Sequence, residues 1–309
     1  MATSRRPRSV RHDPTLAALW DSYSLSLRAE NKSPRTIQTY GESVRLFITH
    51  LEAAGHPGTA KAVTRADVEG FVADLLGKWK PATAANRYPA LGSFFAWAVT
   101  DGELARSPMS GTKPPAVEVA PVDALTEADL KTLDGACAGT SFEARRDTAI
   151  IRLLFDCGLR RAEISGLALE DIDLKLGEVT VLGKGRRIRR ISMGVKTTRA
   201  VDRYLRVRRT HEWASTTECA WLGLKGILTE NGIRQMLERR ATQAGLGHLN
   251  LHRLRHTWAH HMKLSGMPDS DLQNQGGWSS PAMLARYGAS ATGERARNAH
   301  RRYSLGDKV

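Results

Sequence analysis

Residues 144–164 read ARRDTAIIRLLFDCGLRRAEI, a strongly apolar helical run that stops at a glycine and is followed by a second, charged helix start. Gly158 is predicted to end the first helix, because glycine readily adopts the left-handed backbone that closes helices. Arg160 is predicted to open the next helix, where backbone N–H groups favour anions. Glu163 follows three residues later and can orient Arg160, although the same spacing also suits an ordinary surface ion pair.

Residues 178–192 (EVTVLGKGRRIRRIS) predict a β-hairpin, since two β-rich runs flank Gly183-Lys184-Gly185. The glycines allow a tight turn and leave Lys184 free to swing into a site, while a basic tip that contacts phosphates is the plainer interpretation. The GxxxxGK[ST] pattern of nucleotide-binding loops is absent. This part is predicted to be mostly helical with a small sheet, with further helical patterns at 195–210, 229–244 and 251–265.

Residues 252–256 read HRLRH and lie inside one of these helical patterns. His252 and Arg255 are three positions apart and therefore share one helix face. A proton-transferring imidazole beside a guanidinium fork suits a phosphodiester, whose reaction needs both charge stabilisation and proton movement. Further on, residues 276–278 (GGW) are followed by Tyr287, nine positions past the tryptophan, and each of these two features is weak alone.

A metal site is the competing interpretation of the same helix. His252, His256 and His260 recur every four residues, as on helices that offer two zinc ligands. The glutamate of the HExxH motif is absent, and neither a carboxylate nor a cysteine nearby completes a ligand set. We therefore predict no metal, and expect His256 and His260 to be structural or to face a nucleic acid.

The first third of the chain predicts four short helices whose apolar and aromatic stripes form a core. The first helix covers residues around 16–27, and the second starts at 33–34 (Ser-Pro), a cap followed by proline at the first helical position. The third follows Thr64, which has capping-box spacing to the aspartate three residues on. The fourth apolar run, 88–99, contains Pro89, so a kink or a late start is expected there.

The stretch SPMSGTKPPAVEVAP at 107–121 separates these two parts and contains four prolines. Consecutive prolines favour an extended spacer over a continued helix. We predict a helical domain at 12–107, a linker at 108–123 and a second domain, with its C-terminal tail, at 124–309.

The composition is typical of a soluble globular protein that binds a polyanion. The 309 residues carry a formal net charge of +14, most of it in the second part, which attracts DNA, RNA and anionic membranes alike. No apolar run is long enough for a membrane span, and no signal-peptide core follows the basic N-terminus. Cys137, Cys157 and Cys219 form no CxxC pair, which favours a reducing cytoplasm.

Taken in order and spacing, these segments resemble the tyrosine recombinases, also called the phage integrase family. That signature has an arginine in GLRxxE, a lysine on a β-hairpin, HxLRH, and GH or GW followed nine residues later by tyrosine. The first domain is also similar to the family's helical core-binding module, including the helix start at 33–36. The matching residues of the second domain are Arg160 with Glu163, Lys184, His252 with Arg255, Trp278 and Tyr287.

Two positions depart from the usual family pattern. Trp278 stands where most members have histidine, which is a known variant. Its indole N–H can hold a phosphate oxygen but cannot shuttle a proton. Gly276 and Gly277 stand where the family usually has Leu-Gly, and we expect only a local packing effect there.

The resemblance implies a mainly α fold with a small β-sheet, in which a helical core-DNA-binding domain and an α+β catalytic domain form a C-shaped clamp on DNA. It implies that Tyr287 attacks a phosphodiester, giving a 3′-phosphotyrosine and a 5′-hydroxyl. A 5′-hydroxyl from another cut strand then reseals the backbone. Since one phosphodiester replaces another, neither ATP nor a metal is needed, and no cofactor is expected.

The implied roles separate charge stabilisation from proton transfer. Arg160 and Arg255 contact the non-bridging oxygens, and Glu163 positions Arg160. Lys184 protonates the leaving 5′-oxygen, and His252 assists proton transfer at the tyrosine. Basic side chains elsewhere are expected to bind DNA, namely Arg35, Lys80, Arg87, Arg186, Arg187 and Arg253.

Family members act as four subunits on two DNA duplexes. A homo-tetramer is therefore expected on DNA and a monomer or weak oligomer off it, with the C-terminal segment passed to a neighbour. An accessory DNA-bending or directionality factor is a further expected partner, and no membrane is. The expected location is the bacterial cytoplasm, at the nucleoid.

The expected role is integration or excision of a phage or mobile element, and an Xer-like resolvase of chromosome or plasmid dimers is the alternative. About a dozen residues precede the first helix, so no arm-binding module is predicted. A type IB topoisomerase shares the chemistry but relaxes supercoils without exchanging strands. A DNA-binding regulator that lost catalysis is disfavoured, because all six signature positions are filled.

Overall fold

The computed structural model describes the backbone of residues 13–117, 123–183, 187–304, 306–307 and 309. Within the last helix it leaves out the side chains at 282, 285–290, 292 and 298. The chain divides into two compact units, residues 1–119 and 120–309, each with its own hydrophobic core. The finer division predicted from the sequence, with a linker at 108–123, stays a prediction.

In its described part, the first unit consists of four α-helices and a single 3₁₀ turn. The predicted start of the second helix is confirmed, because Ser33 Oγ accepts a hydrogen bond from the N–H of Thr36 at 3.1 Å. Thr64 and Asp67 form the predicted reciprocal capping box. The bounds are α1 Leu16–Ala29, α2 Pro34–Ala53, the turn Ala60–Ala62, α3 Arg65–Lys78 and α4 Pro81–Thr100.

A kink or a late helix start was expected at Pro89, and of these two the late start is wrong. Helix α4 begins at Pro81 and runs through Pro89 to Thr100. A proline inside a helix removes one backbone hydrogen bond and crowds the preceding turn. Phe94 and Phe95, both 0% exposed, hold the following turns against the core, so burial of this face outweighs that local cost.

An aromatic cluster joins the helices of the first unit. Phe47 of α2 lies edge-on to Phe71 of α3 and Phe95 of α4, with ring centroids 5.2 and 5.8 Å apart. All three rings are buried. The prediction that the aromatic stripes of the first third form a core is confirmed.

Within the described residues, the second unit has eight helices and two small antiparallel sheets, which confirms a mainly α fold with a small sheet. The helices are α5 Glu127–Gly135, α6 Phe142–Cys157, α7 Arg161–Ser165, α8 Val195–Arg208, α9 Glu230–Gln243, α10 Leu251–Leu264, α11 Asp269–Gly276 and α12 Pro281–Tyr303. The strands are β1 Ile172–Asp173, β2 Glu178–Leu182 and β3 Ile188–Ser192 in one sheet, with β4 Leu222–Gly223 and β5 Gly226–Ile227 in the other.

The central helix of this unit, α6, ends where the sequence predicts. Gly158 has a left-handed φ of 59°, and a Cβ at this position would lie 2.2 Å from a carbon of the Trp258 ring. Both the backbone and the ring therefore require glycine. The turn leads directly to Arg160, which is the N-cap of α7.

Strands β2 and β3 form the predicted hairpin, and their last antiparallel pair is Leu182 with Ile188. The N–H of Gly183 donates to the carbonyl of Arg187 at 2.8 Å, just beyond that pair. Lys184 and Arg186 lie outside the described residues, so what the sequence predicts for them stays a prediction.

The C-terminal segment forms α12, which begins before Tyr287, so the tyrosine lies within the helix. Helix α12 packs along α10 of the same chain, where Ala291 is fully buried and the Nε2 atom of His260 lies 3.5 Å from the Glu294 carboxylate. Exchange of this segment between subunits stays a prediction. In the part of the chain that the structure describes, no helix is both long and apolar enough to cross a membrane.

Candidate active site

The C-terminal end of α11 is where the site assembles. The helix ends at Gly276, and the next residue, Gly277, has a left-handed φ of 62°. The backbone carbonyls at 275–277 each accept a hydrogen bond from a different arginine, and such carbonyls carry partial negative charge that favours cations. The donors are Arg189 Nε to Gln275 at 2.9 Å, Arg255 Nη2 to Gly276 at 2.5 Å and Arg160 Nη2 to Gly277 at 2.6 Å.

Glu163 joins two of these arginines from the opposite side. One carboxylate oxygen accepts from Arg160 Nη1 at 2.7 Å, and the other accepts from the Arg160 backbone N–H at 2.8 Å. Arg189 donates to both oxygens, at 2.9 and 2.8 Å. Burial alone would raise the pKa of Glu163, but the hydrogen bonds from Arg189 and Arg160 outweigh it and lower the pKa. The carboxylate is therefore charged near neutrality and fixes both guanidinium groups.

Arg255 is 2% exposed and lies over the ring of Trp278. Its guanidinium carbon is 4.5 Å from the centroid of the Trp278 ring, and its Nη1 donates to the carbonyl of Gly158 at 2.5 Å. Trp278 in turn stacks on Trp258, with centroids 5.9 Å apart and an interplanar angle of 27°. The arginine thereby ties the end of α6 to the end of α11.

Trp278 is 4% exposed, so the indole is a packing element of this site. A Cβ at Gly276 would lie 2.1 Å from a carbon of the Trp278 ring, so no larger residue fits beneath it. The Trp278 ring therefore occupies the space that a side chain at residue 276 would need. This competition between the indole and a side chain at residue 276 is a local packing effect of the kind expected at 276–277.

His252 begins the helical face that carries Arg255, and it exposes part of its ring to solvent. Partial burial and the positive charge of Arg255 lower its pKa. The ring of His256 lies edge-on to that of His252, with centroids 4.6 Å apart, and burial with the neighbouring charges lowers its pKa to about 4. Both imidazoles are therefore neutral near pH 7. Among the residues that the structure describes, no three potential metal ligands cluster.

The side chains predicted to bind DNA fall into different environments. Arg35 and Lys80 are exposed in the first unit, and Arg187 is exposed beside the hairpin tip. Arg87 is 20% exposed and donates to Glu42 at 3.0 Å, an ion pair that ties α4 to α2. A DNA contact by Arg87 would have to compete with that ion pair. The last of the set, Arg253, donates to the carbonyl of Asp123 at 3.1 Å.

Arg189 was not predicted from the sequence, although its guanidinium makes three hydrogen bonds in the site, two to Glu163 and one to the carbonyl of Gln275. The sequence of strand β3 did contain a signal for this position. Arg189 lies two residues before Ile191, and side chains two positions apart point to the same face of a strand, which here is the inward face. An arginine on the buried face of a strand needs a partner, since an unpaired buried charge is costly. The side chain of Tyr287 lies outside the described residues, so its role as the nucleophile stays a prediction.

Comparison with known proteins gives consistent results for both units. The phage integrase family model matches residues 123–294, and the phage integrase N-terminal SAM-like domain matches 21–102. The tyrosine recombinase XerC of Chlorobaculum tepidum is 32% identical over 269 residues, which cover 76% of this chain and 79% of that protein.

Two solved structures show the same fold. The Tn1549 transposon integrase in complex with transposon right end DNA aligns with a TM-score of 0.73 at 21% identity, covering 94% of this chain and 100% of that one. A lambda integrase tetramer bound to a Holliday junction aligns with a TM-score of 0.69 at 16% identity, covering 90% and 78%.

The two-unit fold, the arginine-rich site and these similarities define the class of protein, a tyrosine recombinase that cleaves and rejoins DNA strands. The chain belongs to the phage integrase family, since the family model matches more than half of it and the XerC relative is similar over most of both chains.

Trp278 and Gly276 should be energetically coupled. Gly276→Leu alone should lower the free energy of unfolding by about 2 kcal/mol or more, because the leucine and the indole compete for one space. Adding Trp278→His should recover a large part of that loss, with a coupling energy on the order of 1 kcal/mol or more. Thermal and urea unfolding of both single variants and the double variant measure this.

Gly135→Leu provides the matched control, since a Cβ at that helical glycine meets nothing within 4 Å. Its effect should add to that of Trp278→His without coupling. Strict additivity of Gly276→Leu with Trp278→His would contradict the shared-space interpretation.

Proposed function

We propose that this chain recombines a specific duplex DNA site and that Tyr287 is its nucleophile. The observation that carries the proposal is the convergence of three arginines at 275–277, at the end of the segment that leads into the helix of Tyr287. Guanidinium groups held by hydrogen bonds are well suited to a phosphodiester. The family membership supplies the reaction class, and the arginine geometry supports the site.

The proposed first step is an exchange of one phosphodiester for another. The Tyr287 oxygen attacks phosphorus, the bond from phosphorus to the 5′-oxygen breaks, and a 3′-phosphotyrosine and a free 5′-hydroxyl result. In the second step, a 5′-hydroxyl from another cut strand attacks the phosphotyrosine and releases the tyrosine. No bond energy is lost overall, so the proposed mechanism uses no cofactor.

Arg160 and Arg255 stabilise the charge that develops on the non-bridging oxygens in this mechanism. Arg160 is the more accessible of the two, with 28% of its side chain exposed, and Glu163 and the carbonyl of Gly277 fix its guanidinium. Arg255 is buried, and the stack with Trp278 fixes its plane. Such fixed donors need no reorganisation when the charge appears.

Proton transfer falls to two other residues. His252, neutral because its pKa is lowered, accepts the proton of the attacking tyrosine. Lys184 donates a proton to the leaving 5′-oxygen. The basic side chains predicted to bind DNA, such as Arg35 and Arg187, contact the phosphate backbone. The tetramer that lambda integrase forms on a Holliday junction supports a homo-tetramer for this chain on DNA.

Two biological roles fit this chemistry. Integration or excision of a phage or mobile element is the role predicted from the sequence, and the fold similarity to a transposon integrase agrees with it. The name of the XerC relative favours an Xer-like role in resolving dimers, at higher sequence identity. The arrangement of the DNA sites on which the protein acts distinguishes the two roles.

The nucleophile can be identified before the DNA site is known. Wild-type protein incubated with fragmented genomic DNA of its source organism and then denatured in SDS should retain covalently bound fragments that share one sequence. Tyr287→Phe should retain none, because the phenyl ring has no oxygen to attack phosphorus. Tyr303→Phe is the matched control in the same helix and should behave as wild type. Covalent capture by Tyr287→Phe would refute the assignment.

The lowered pKa of His252 predicts the acidic limb of the pH–rate profile. Protonated His252 cannot accept the tyrosine proton, so single-turnover cleavage should fall about tenfold per pH unit below the pKa of this group. Because the folded-state pKa is lowered, the midpoint should lie below 6.5. His252→Gln should be slow and lack this limb. A midpoint above 6.5 that His252→Gln leaves in place would contradict the role.

The biological role is tested with plasmids that carry the captured site. An Xer-like resolvase should convert a plasmid with two direct repeats of one site into two circles. An integrase should instead join two sites with different flanking arms. Relaxed topoisomers with no recombinants from either substrate would refute the recombinase proposal in favour of a topoisomerase.

A further inference from the structure

Arg189 is the arginine at the 275–277 carbonyls that the sequence did not single out. Its side chain is 10% exposed, and all three of its nitrogens donate. Nη1 and Nη2 bind the two oxygens of Glu163, and Nε binds the carbonyl of Gln275. One planar group therefore connects strand β3, the start of α7 and the end of α11.

Two glycines make room for this guanidinium. A Cβ at Gly183 would lie 3.1 Å from Arg189 Nη1, and a Cβ at Gly277 would lie 2.9 Å from the same atom. Gly277 needs glycine for its backbone as well, since its φ is 62°. Gly183 has no such left-handed backbone, so close packing explains glycine there, against Arg189 Nη1 and against the carbonyl oxygen of Arg187 at 3.2 Å.

Gly183 is also the residue immediately before Lys184. The backbone of Gly183, which leads to Lys184, therefore packs against the Arg189 guanidinium. That guanidinium is in turn hydrogen-bonded to Glu163. The last strand pair, Leu182 with Ile188, lies directly beside this contact. Arg189 thus connects the hairpin directly to Glu163.

We propose that Arg189 is a positioning residue that fixes the Lys184 hairpin against Glu163 and the 275–277 carbonyls. This inference rests on the proposed function, in which Lys184 supplies the proton to the leaving oxygen. Arg189 contacts neither the DNA nor the reacting atoms in this proposal. It acts by holding the proton donor at the correct distance from the 5′-oxygen.

The chemistry of the leaving group gives a selective test. In cleavage, the Tyr287 oxygen bonds to phosphorus, the P–O5′ bond breaks, and the 5′-oxygen takes a proton from Lys184. If sulfur replaces that oxygen, the P–S bond breaks and the thiolate leaves without a proton, since thiols are far more acidic than alcohols. A defect in proton delivery is therefore bypassed by sulfur, whereas a defect in charge stabilisation at the non-bridging oxygens is not.

The experiment compares single-turnover cleavage of two nicked suicide duplexes of the captured site, with 5′-oxygen or 5′-sulfur at the scissile position. Arg189→Gln should slow cleavage of the oxygen substrate roughly 10²-fold, as misplacement of a catalytic group does. The sulfur substrate should recover most of that loss. Arg189→Lys should also be slow with oxygen, because an ammonium cannot bind two carboxylate oxygens and a carbonyl in one plane.

Two control variants are measured on the same two substrates. Arg190→Gln changes the neighbouring arginine of β3, which is exposed on the opposite face of the strand, and should match wild type on both substrates. Arg160→Lys alters a group that contacts the non-bridging oxygens, and should be slow on oxygen and sulfur alike.

Each outcome decides a different question. Cleavage by Arg189→Gln at the wild-type rate, or an equal loss on both substrates, would overturn the positioning role. Failure of the wild type to form any covalent adduct would overturn the proposed function itself. If circular dichroism shows that Arg189→Gln does not fold, Gly183→Ala provides the test, since it crowds Arg189 without removing a charge. It should show a smaller loss with the same sulfur recovery, and wild-type rates would overturn the proposal.

Discussion

Three arginines donate to three successive carbonyls at 275–277, and the local structure of the site follows from this arrangement. A helix end can be capped by a single glycine turn, but here cations from α7, β3 and α10 converge on it. Taking such charges out of water is costly unless each is paired. Glu163 pairs two of them, and the tryptophan stack covers the third. Three elements remote in sequence are therefore held in one geometry.

The same close packing of arginine and tryptophan side chains explains glycine at four positions of the second unit. At Gly158 and Gly276 a Cβ would enter a tryptophan ring, and at Gly183 and Gly277 it would press on Arg189. Only two of the four have a left-handed backbone, so conformational freedom explains half of them and close packing explains the rest. In this site, glycine marks where a flat side chain lies directly on the backbone.

Local signals predicted much of this structure. The capping box at Thr64, the glycine stop after α6 and the hairpin depend on residues within a few positions, so the sequence was sufficient for them. The continuous α4 was missed because burial of its far face outweighs one proline. Arg189 was missed because its partners are 26 and 86 positions away, and no local pattern states which carboxylate an inward arginine meets.

Tryptophan at position 278 makes the placement of the remaining proton carriers more important. A histidine there would be able to move a proton as well as donate a hydrogen bond, whereas an indole only donates. Trp278 is also buried beneath Arg255, so its contribution to the site is rigidity. In the proposed mechanism, proton transfer therefore falls to His252 and to the lysine of the hairpin. His252 is held by helix α10. The lysine follows Gly183, whose backbone packs on Arg189, so in our proposal the arginine that binds Glu163 also positions this second proton carrier.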